Sequence, residues 1–380
     1  MIFVRHILFF VLVLGAVRAA LAQQSTPADA MALEQQGRWA DAAAAWQAVI
    51  QGDPKDAAAL ASLGVDLARQ QKYDEAASAY RRALKINQSL PGVQLNLGLA
   101  EFKQGKFRAA IAPLTAAISN DPRNLQAQTL LGLSYYGVKQ FAEAASHLQL
   151  AAKADPENLE LQQMLAQSCF FAKNYQCALG GFRRILEKEP DSAAAHMLLG
   201  EALDGVSHTP EAIAEFEKAA KVAPREPNVH FGLGYLYWKS HRLEDAKREF
   251  ASELAVDPNH AQAVAYLGDI AMKNHEFEAA LLLLKKAVSL KTDLRFAYID
   301  LGSIYTQQKK YEHAIPVLQR AMQLDPSEPD AHYRLARVYQ LTGKKADADR
   351  EFAKVVSLHE KADQTLAPKM SNAPPPLPQN

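Results

Sequence analysis

The chain has 380 residues, length enough for two or three globular domains, and is 49% hydrophobic and 22% charged. Lysine plus arginine and aspartate plus glutamate balance at 42 each. There is no basic excess to hold nucleic acid and no polybasic patch to hold a membrane surface. The two cysteines are too few and too widely spaced for a C-x-x-C redox motif or a zinc site.

The first 22 residues read as a secretory signal peptide. Arg5 and His6 give a short polar start. Ile7 to Val17 is an apolar run, and Ala20-Leu21-Ala22 is a cleavage site before Gln23. The run is too short to remain as a bilayer-spanning anchor. No cysteine sits near the cut to carry a bacterial lipid anchor, although Arg18 is close to it for a leader. Without Arg5 and Arg18 the balance is 40 basic to 42 acidic residues, a net −2. The expectation is an exported mature chain with no transmembrane segment.

Beyond the leader, alanine recurs at Ala42, Ala76, Ala110, Ala144, Ala178, Ala212, Ala246, Ala280, Ala314 and Ala348, a period of 34. A second column, 12 residues earlier, reads Ala30, Gly64, Gly98, Gly132, Ala166, Gly200, Gly234, Gly268, Gly302 and Ala336. Two columns of tiny side chains at one period imply two helices per repeat that approach closely at the same point each time. Such a chain grows by stacking and has no single core. Prolines at 54, 122, 156, 190, 224, 258 and 326 keep the same phase. Proline cannot continue a helix but can open the next element. Between these breakers lie two stretches with i, i+3, i+4 apolar spacing, such as Leu125–Gly137 and Phe141–Lys153. Gly37, Gly105 and Gly343 mark the turn between them in three repeats, and in most repeats an aromatic (Trp39, Tyr73, Phe107, Phe141, Tyr175, Phe277, Tyr311) follows two residues after the turn position. Cys169 closes one helix and Cys177 opens its partner. Two readings stand for them: a disulfide across the turn, or two small side chains buried in a helix contact.

These features resemble the tetratricopeptide repeat, the 34-residue helix–turn–helix family. Repeat nine fills the family's positions with Tyr298, Gly302, Tyr305, Ala314, Leu318, Ala321 and Pro326. The resemblance implies an all-α, right-handed superhelical solenoid of ten repeats: 23–56, 57–90, 91–124, 125–158, 159–192, 193–226, 227–260, 261–294, 295–328 and 329–362. Repeat one has a weak first helix containing Pro27. Repeat six replaces the usual turn with Gly205 to Pro210, where Thr209 is expected as N-cap and Pro210 as first helical residue. Pro113 and Pro316 fall inside second helices. Residues 363–380, ending in Ala373-Pro374-Pro375-Pro376-Leu377-Pro378, read as a disordered proline-rich tail.

By the same resemblance, first helices line a concave face, with slots two, five, nine and twelve of each repeat turned inward. Those slots hold Leu95, Leu99, Phe102, Leu133, Tyr136, Phe170, Met197, Phe231, Tyr235, Trp238 and Met272. A solvent-facing channel this apolar implies an occupant. The expected function is a non-catalytic scaffold that clamps a partner peptide or helix, with these residues as anchors in repeats three to eight. The competing readings are packing of these side chains against the next repeat's first helix or the chain's own tail, and a periplasmic role in envelope polysaccharide handling or export, with the aromatics stacked on sugar rings. The family's carboxylate clamp is absent, since Asn96 stands among Ala61, Val65 and Leu130. Gly232-Leu233-Gly234 belongs to a helix and follows no strand, so it makes no phosphate loop. The histidines form no H-x-x-x-H pair, and His208, His241, His275 and His313 fall in or near turns as solvated residues. No motif supplies a nucleophile, a carboxylate dyad, a metal site or a cofactor site. A bacterial periplasm is the expected location.

Overall fold

The computed structural model describes residues 25–371, with side chains to residue 361. The leader expected at 1–22 lies outside the described residues. So does the tail beyond residue 371; ahead of it the last helix runs on to Ser371, through the start of the segment expected to be disordered.

Twenty α-helices follow one another in ten pairs, with no strand among the described residues. The first five pairs are α1 Pro27–Gln35 and α2 Trp39–Gly52, α3 Ala57–Arg69 and α4 Tyr73–Ile86, α5 Val93–Lys103 and α6 Phe107–Asn120, α7 Leu125–Gly137 and α8 Phe141–Ala154, and α9 Leu159–Phe171 and α10 Tyr175–Lys188. The second five are α11 Ala193–Gly205 and α12 Thr209–Val222, α13 Val229–Lys239 and α14 Leu243–Val256, α15 Ala261–Lys273 and α16 Phe277–Leu290, α17 Arg295–Gln307 and α18 Tyr311–Leu324, and α19 Pro329–Leu341 and α20 Lys345–Ser371. They form two compact halves, one ending at Lys188 and the other beginning at Glu189.

The two columns of small residues account for the pairing. Every alanine of the slot-twenty column is buried. At slot eight, a Cβ on Gly64, Gly98, Gly132, Gly200, Gly234, Gly268 or Gly302 would overlap the large side chain at slot twenty-four of the same repeat: Tyr80, Leu114, Leu148, Phe216, Phe250, Leu284 or Leu318. Large residues on the second helix thus fill the space that small residues on the first leave open. Each such buried side chain contributes roughly 1.5–3 kcal/mol. Repeat five inverts the device, with Gly181 on α10 making room for the Cβ of Ala166. Gly232 and Gly234 are explained the same way, as seats for Phe216 and Phe250.

The turns are uniform. Slot fifteen is left-handed in all ten repeats, with φ between +58° and +75°, although only Gly37, Gly105 and Gly343 are glycine there. The next residue's N–H bonds back to a carbonyl five residues earlier, as Arg38 does to Leu33 and His208 to Leu203. Repeat six keeps this turn through Ser207, contrary to the sequence expectation. His208 is the N-cap, Thr209 is already helical, and the Thr209 hydroxyl donates to Asp204 Oδ1 at 3.2 Å instead of capping. The wound-back turn fixes where the second helix starts, so local capping preference does not decide it. Thr26 and Asp29 form a capping box on α1, which gives the first repeat a defined start. Other first helices are capped by Asp56, Asn124, Asn158, Ser192 and His260, each accepting an N–H three residues on. In repeat seven Asn228 is left-handed and caps nothing. The buried carboxylate of Glu253 on α14 replaces it, accepting the Asn228 and Phe231 N–H groups at 3.0 Å each.

Cys169 and Cys177 are joined in a disulfide between α9 and α10, with Cα atoms 5.7 Å apart. A cross-link over so short a loop stabilises chiefly by restricting the unfolded chain. Reduction, or a Cys169→Ala, Cys177→Ala double substitution, is expected to lower unfolding stability by about 2 kcal/mol. Urea unfolding with and without reductant measures this; identical midpoints would mean that the bond contributes nothing to the first half.

Candidate functional site

Within each half, several consecutive first helices touch one another (α5 meets α3 and α7; α17 meets α15 and α19), whereas consecutive second helices make no comparable contact among the described residues. First helices therefore lie on the tighter side of the curve, and their free faces form its inner wall. All eleven inward residues chosen from sequence are half-buried there, neither sealed in the core nor fully open.

In the first half, Leu95, Leu99 and Phe102 on α5 pack beside Leu114, Leu130 and Leu131. Leu133 on α7 packs against Leu148 and Leu161, and borders a cleft completed by Thr129, Glu160 and Met164. A second cleft is lined by Arg69, Tyr73, Asn96, Leu99 and Lys103. The slot-twelve aromatics behave differently from the sequence expectation. Phe102 sits edge-on to Phe107 at 5.4 Å, Tyr136 edge-on to Phe141 at 5.4 Å, and Phe170 edge-on to Tyr175 at 6.2 Å and Phe182 at 6.5 Å. These rings brace the first helix against the second near the turn. Much of their surface serves the fold, because slot twelve leans toward the partner helix's opening aromatic. The Tyr136 hydroxyl donates to Gln167 at 3.2 Å, and burial raises its pKa. The ring most available on this face is Phe171, 47% exposed and 4.9 Å from Phe141; the sequence reading passed over it because slot thirteen was not counted as inward.

In the second half, Met197 is half-buried on α11, and Met272 packs into the cluster around Leu284, Leu301 and Ile304. Phe231, Tyr235 and Trp238 of α13 do converge, but around a residue the sequence reading missed. Tyr266 of α15 lies 6.0 Å from Phe231, 5.8 Å from Tyr235, 5.0 Å from Trp238 and 4.9 Å from Phe296. Tyr235 also stacks on Trp238 at 6.1 Å. Burial, then the neighbouring Tyr235, Asp269 and Asp300, push the Tyr266 hydroxyl up to about 12. Trp238 is held at its polar edge: Nε1 donates to Asp269 Oδ2 at 2.5 Å, and Lys273 Nζ meets the same oxygen at 2.6 Å while sitting 4.3 Å from the Trp238 ring centroid. At the far end, Tyr333 is 50% exposed and lines a cleft with Asp330, Arg334, Val355 and His359.

The histidines need a correction. His208, His241, His275 and His313 are exposed, but His196, His230 and His332 each meet a glutamate 19 residues on, at Glu215, Glu249 and Glu351, with distances of 2.6, 2.7 and 2.6 Å. These pairs join first to second helix within one repeat. His196 and His230 also reach the Pro190 and Pro224 carbonyls from Nε2, at 2.9 and 3.0 Å. No group of three His, Cys, Asp or Glu is placed to hold a metal among the described residues. None of the described helices is long and apolar enough to cross a membrane.

Tetratricopeptide-repeat family models match residues 28–91, 95–158, 135–202, 203–246, 231–293, 302–343 and 330–362. The chain belongs to the tetratricopeptide repeat family. It is an all-α solenoid of such repeats. No curated protein matches the sequence. Solved structures with a similar arrangement include MamA (23% identity, 44% of this chain and 97% of that one, TM-score 0.39) and YrrB, described as a TPR protein with an unusual peptide-binding site (20%, 50% and 97%, 0.39). Yeast Tom70 matches over 92% of this chain and 94% of its own, at 14% identity and TM-score 0.43.

Proposed function

We propose that the chain is a non-catalytic scaffold that captures a partner protein by laying a segment of it along the inner faces of the first helices. One observation carries this reading: the apolar and aromatic side chains of those faces stay half-buried, with open clefts between them, where a purely structural wall would be sealed or polar. Apolar anchors of this size outweigh rim charge pairs, since burying one contributes roughly 1.5–3 kcal/mol and an exposed ion pair about 0–1. The leader pattern supports export, and the Cys169–Cys177 disulfide supports an oxidising compartment such as a bacterial periplasm.

The test compares the wild type with a Phe171→Ala, Tyr235→Ala, Tyr333→Ala variant in affinity capture from an envelope extract. These rings are preferred to Phe102, Tyr136 and Trp238, which also brace the fold. A protein held by the wild type and lost by a variant that melts normally is the expected result. Equal capture by both would move binding to the outer helices or the tail. Retention of envelope glycan alone would replace the peptide with a polymer stacked on Tyr235 and its neighbours.

A further inference from the structure

Asp300 stands at slot six of repeat nine, half-buried on the inner face of α17. One turn earlier on the same helix is Phe296, whose ring lies 4.9 Å from Tyr266. The carboxylate accepts no hydrogen bond among the described residues, and only charges at a distance act on it. The two nearby cations are engaged elsewhere. Lys273 holds Asp269 Oδ2, and Arg334 Nη1 donates to Ser303 Oγ at 2.9 Å. Two other acids of this wall are paired, Asp204 with Lys239 at 2.7 Å and Asp330 with Arg295, while Glu201 at slot nine of α11 is unpaired among the described residues but exposed to solvent. Asp300 is therefore a carboxylate set among aromatic rings without a partner of its own. Leaving such a group unmet is unfavourable, and a cation brought to it recovers a charge-assisted hydrogen bond.

We propose that Asp300, framed by Tyr266 and Phe296, receives a lysine or arginine side chain of the bound partner segment. This rests on the peptide-binding reading above and adds its charge specificity. The side chain's methylene stem lies against the two rings, and its head reaches the carboxylate. Asp269, tied to Trp238 and Lys273, adds negative potential behind it. An acidic or neutral side chain meets none of this.

Titration gives a second signature. Burial, then the Asp269 charge, push the Asp300 carboxyl up to about 7, against the opposing pull of Arg334 and Lys273. A cation binds the ionised form. Affinity therefore rises as pH climbs from about 6 to about 8, and levels off above. The groups facing Asp300 are Asp269, Lys273 and the Tyr266 hydroxyl on α15, and Arg334 on α19.

The probe is a set of random dodecapeptides displayed on phage and selected on the full chain. Recovered peptides are measured by calorimetry against wild type, Asp300→Asn and Tyr235→Ala. The expected result is a basic residue at a fixed position. Changing it to glutamine, or Asp300 to asparagine, should each weaken binding by about tenfold or more, and the two together little further. The rise with pH should vanish in Asp300→Asn, which should melt no lower than wild type. Additive losses, or peptides without a fixed basic residue, would overturn the proposal. If Tyr235→Ala still abolishes their binding, the peptide-binding reading survives that outcome. Recovery of no peptide would sink both.

Discussion

Gly200→Leu is expected to destabilise the second half by about 1–3 kcal/mol or more, because its first methyl has nowhere to go. A Cβ at Gly200 would sit 2.7 Å from Phe216 Cδ2 and 3.2 Å from the Ala212 carbonyl oxygen. Phe216 cannot retreat, since Gly232 of the next repeat is pressed against the other side of its ring. Ala178→Leu should behave alike in the first half, where Ala178 is fully buried. The control is Gly180→Ala. Gly180 lies inside α10 with nothing within 4 Å of a Cβ, so the added methyl meets open space. It should stabilise by about 0.5–1 kcal/mol through helix propensity alone. Thermal and urea unfolding of the three variants test the register directly. Unchanged midpoints for Gly200→Leu and Ala178→Leu would show that the small-residue columns are not the contact.

Asp66→Asn is expected to raise stability at pH 8 and leave it nearly unchanged at pH 4. The Asp66 carboxyl on α3 is fully buried, and neither oxygen has a hydrogen-bond partner. Burial first, and the nearby Glu34 second, push it up to about 7. In the unfolded chain it titrates near 4. The folded state thus binds the proton more tightly than the unfolded state between those values. Stability must fall as pH rises from about 4 to about 7, and then hold level once the buried group is ionised. Removing the charge should recover about 2–4 kcal/mol at pH 8, since displacing the titration from near 4 to about 7 is worth at most about 4 kcal/mol. Melting curves across that window check the sign. A wild-type Tm that climbs steadily from pH 4 to 7, or an equal slope in the variant, would show that Asp66 is not held neutral.

The fold was legible because its determinants repeat. Small residues at slots eight and twenty, and prolines in phase, need no knowledge of the third dimension once the period is seen. The helix bounds at Leu125–Gly137 follow from them directly. Residues that owe their role to a neighbouring repeat were harder to read. Trp39 and Gln70, Tyr136 and Gln167, Trp238 and Asp269, and Ser303 and Arg334 each meet at a separation of 31. That offset comes from how one repeat seats on the next, and a period of 34 does not announce it. Tyr266 and Asp300 were overlooked for this reason, since slot six turns inward only beside the adjacent repeat's slot nine. The histidine–glutamate pairs were within reach. A separation of 19 at His196, His230 and His332 recurs in the sequence, but it matches no metal-binding spacing and so carries no familiar signal.

The left-handed turn at slot fifteen has an engineering consequence. Gln71, Lys139, Lys173, Ser207, His241, His275 and Lys309 adopt a conformation that side chains with a Cβ disfavour by roughly 1 kcal/mol. The surrounding helices impose it, so sequence is free to drift at these seven positions while the bend persists. Each is a separate place where glycine would relieve the backbone without touching either inner face. The seven turns lie in separate repeats, and such increments largely add. The chain therefore carries an untapped thermostability reserve in its connectors, independent of whatever its inner wall is shaped to hold.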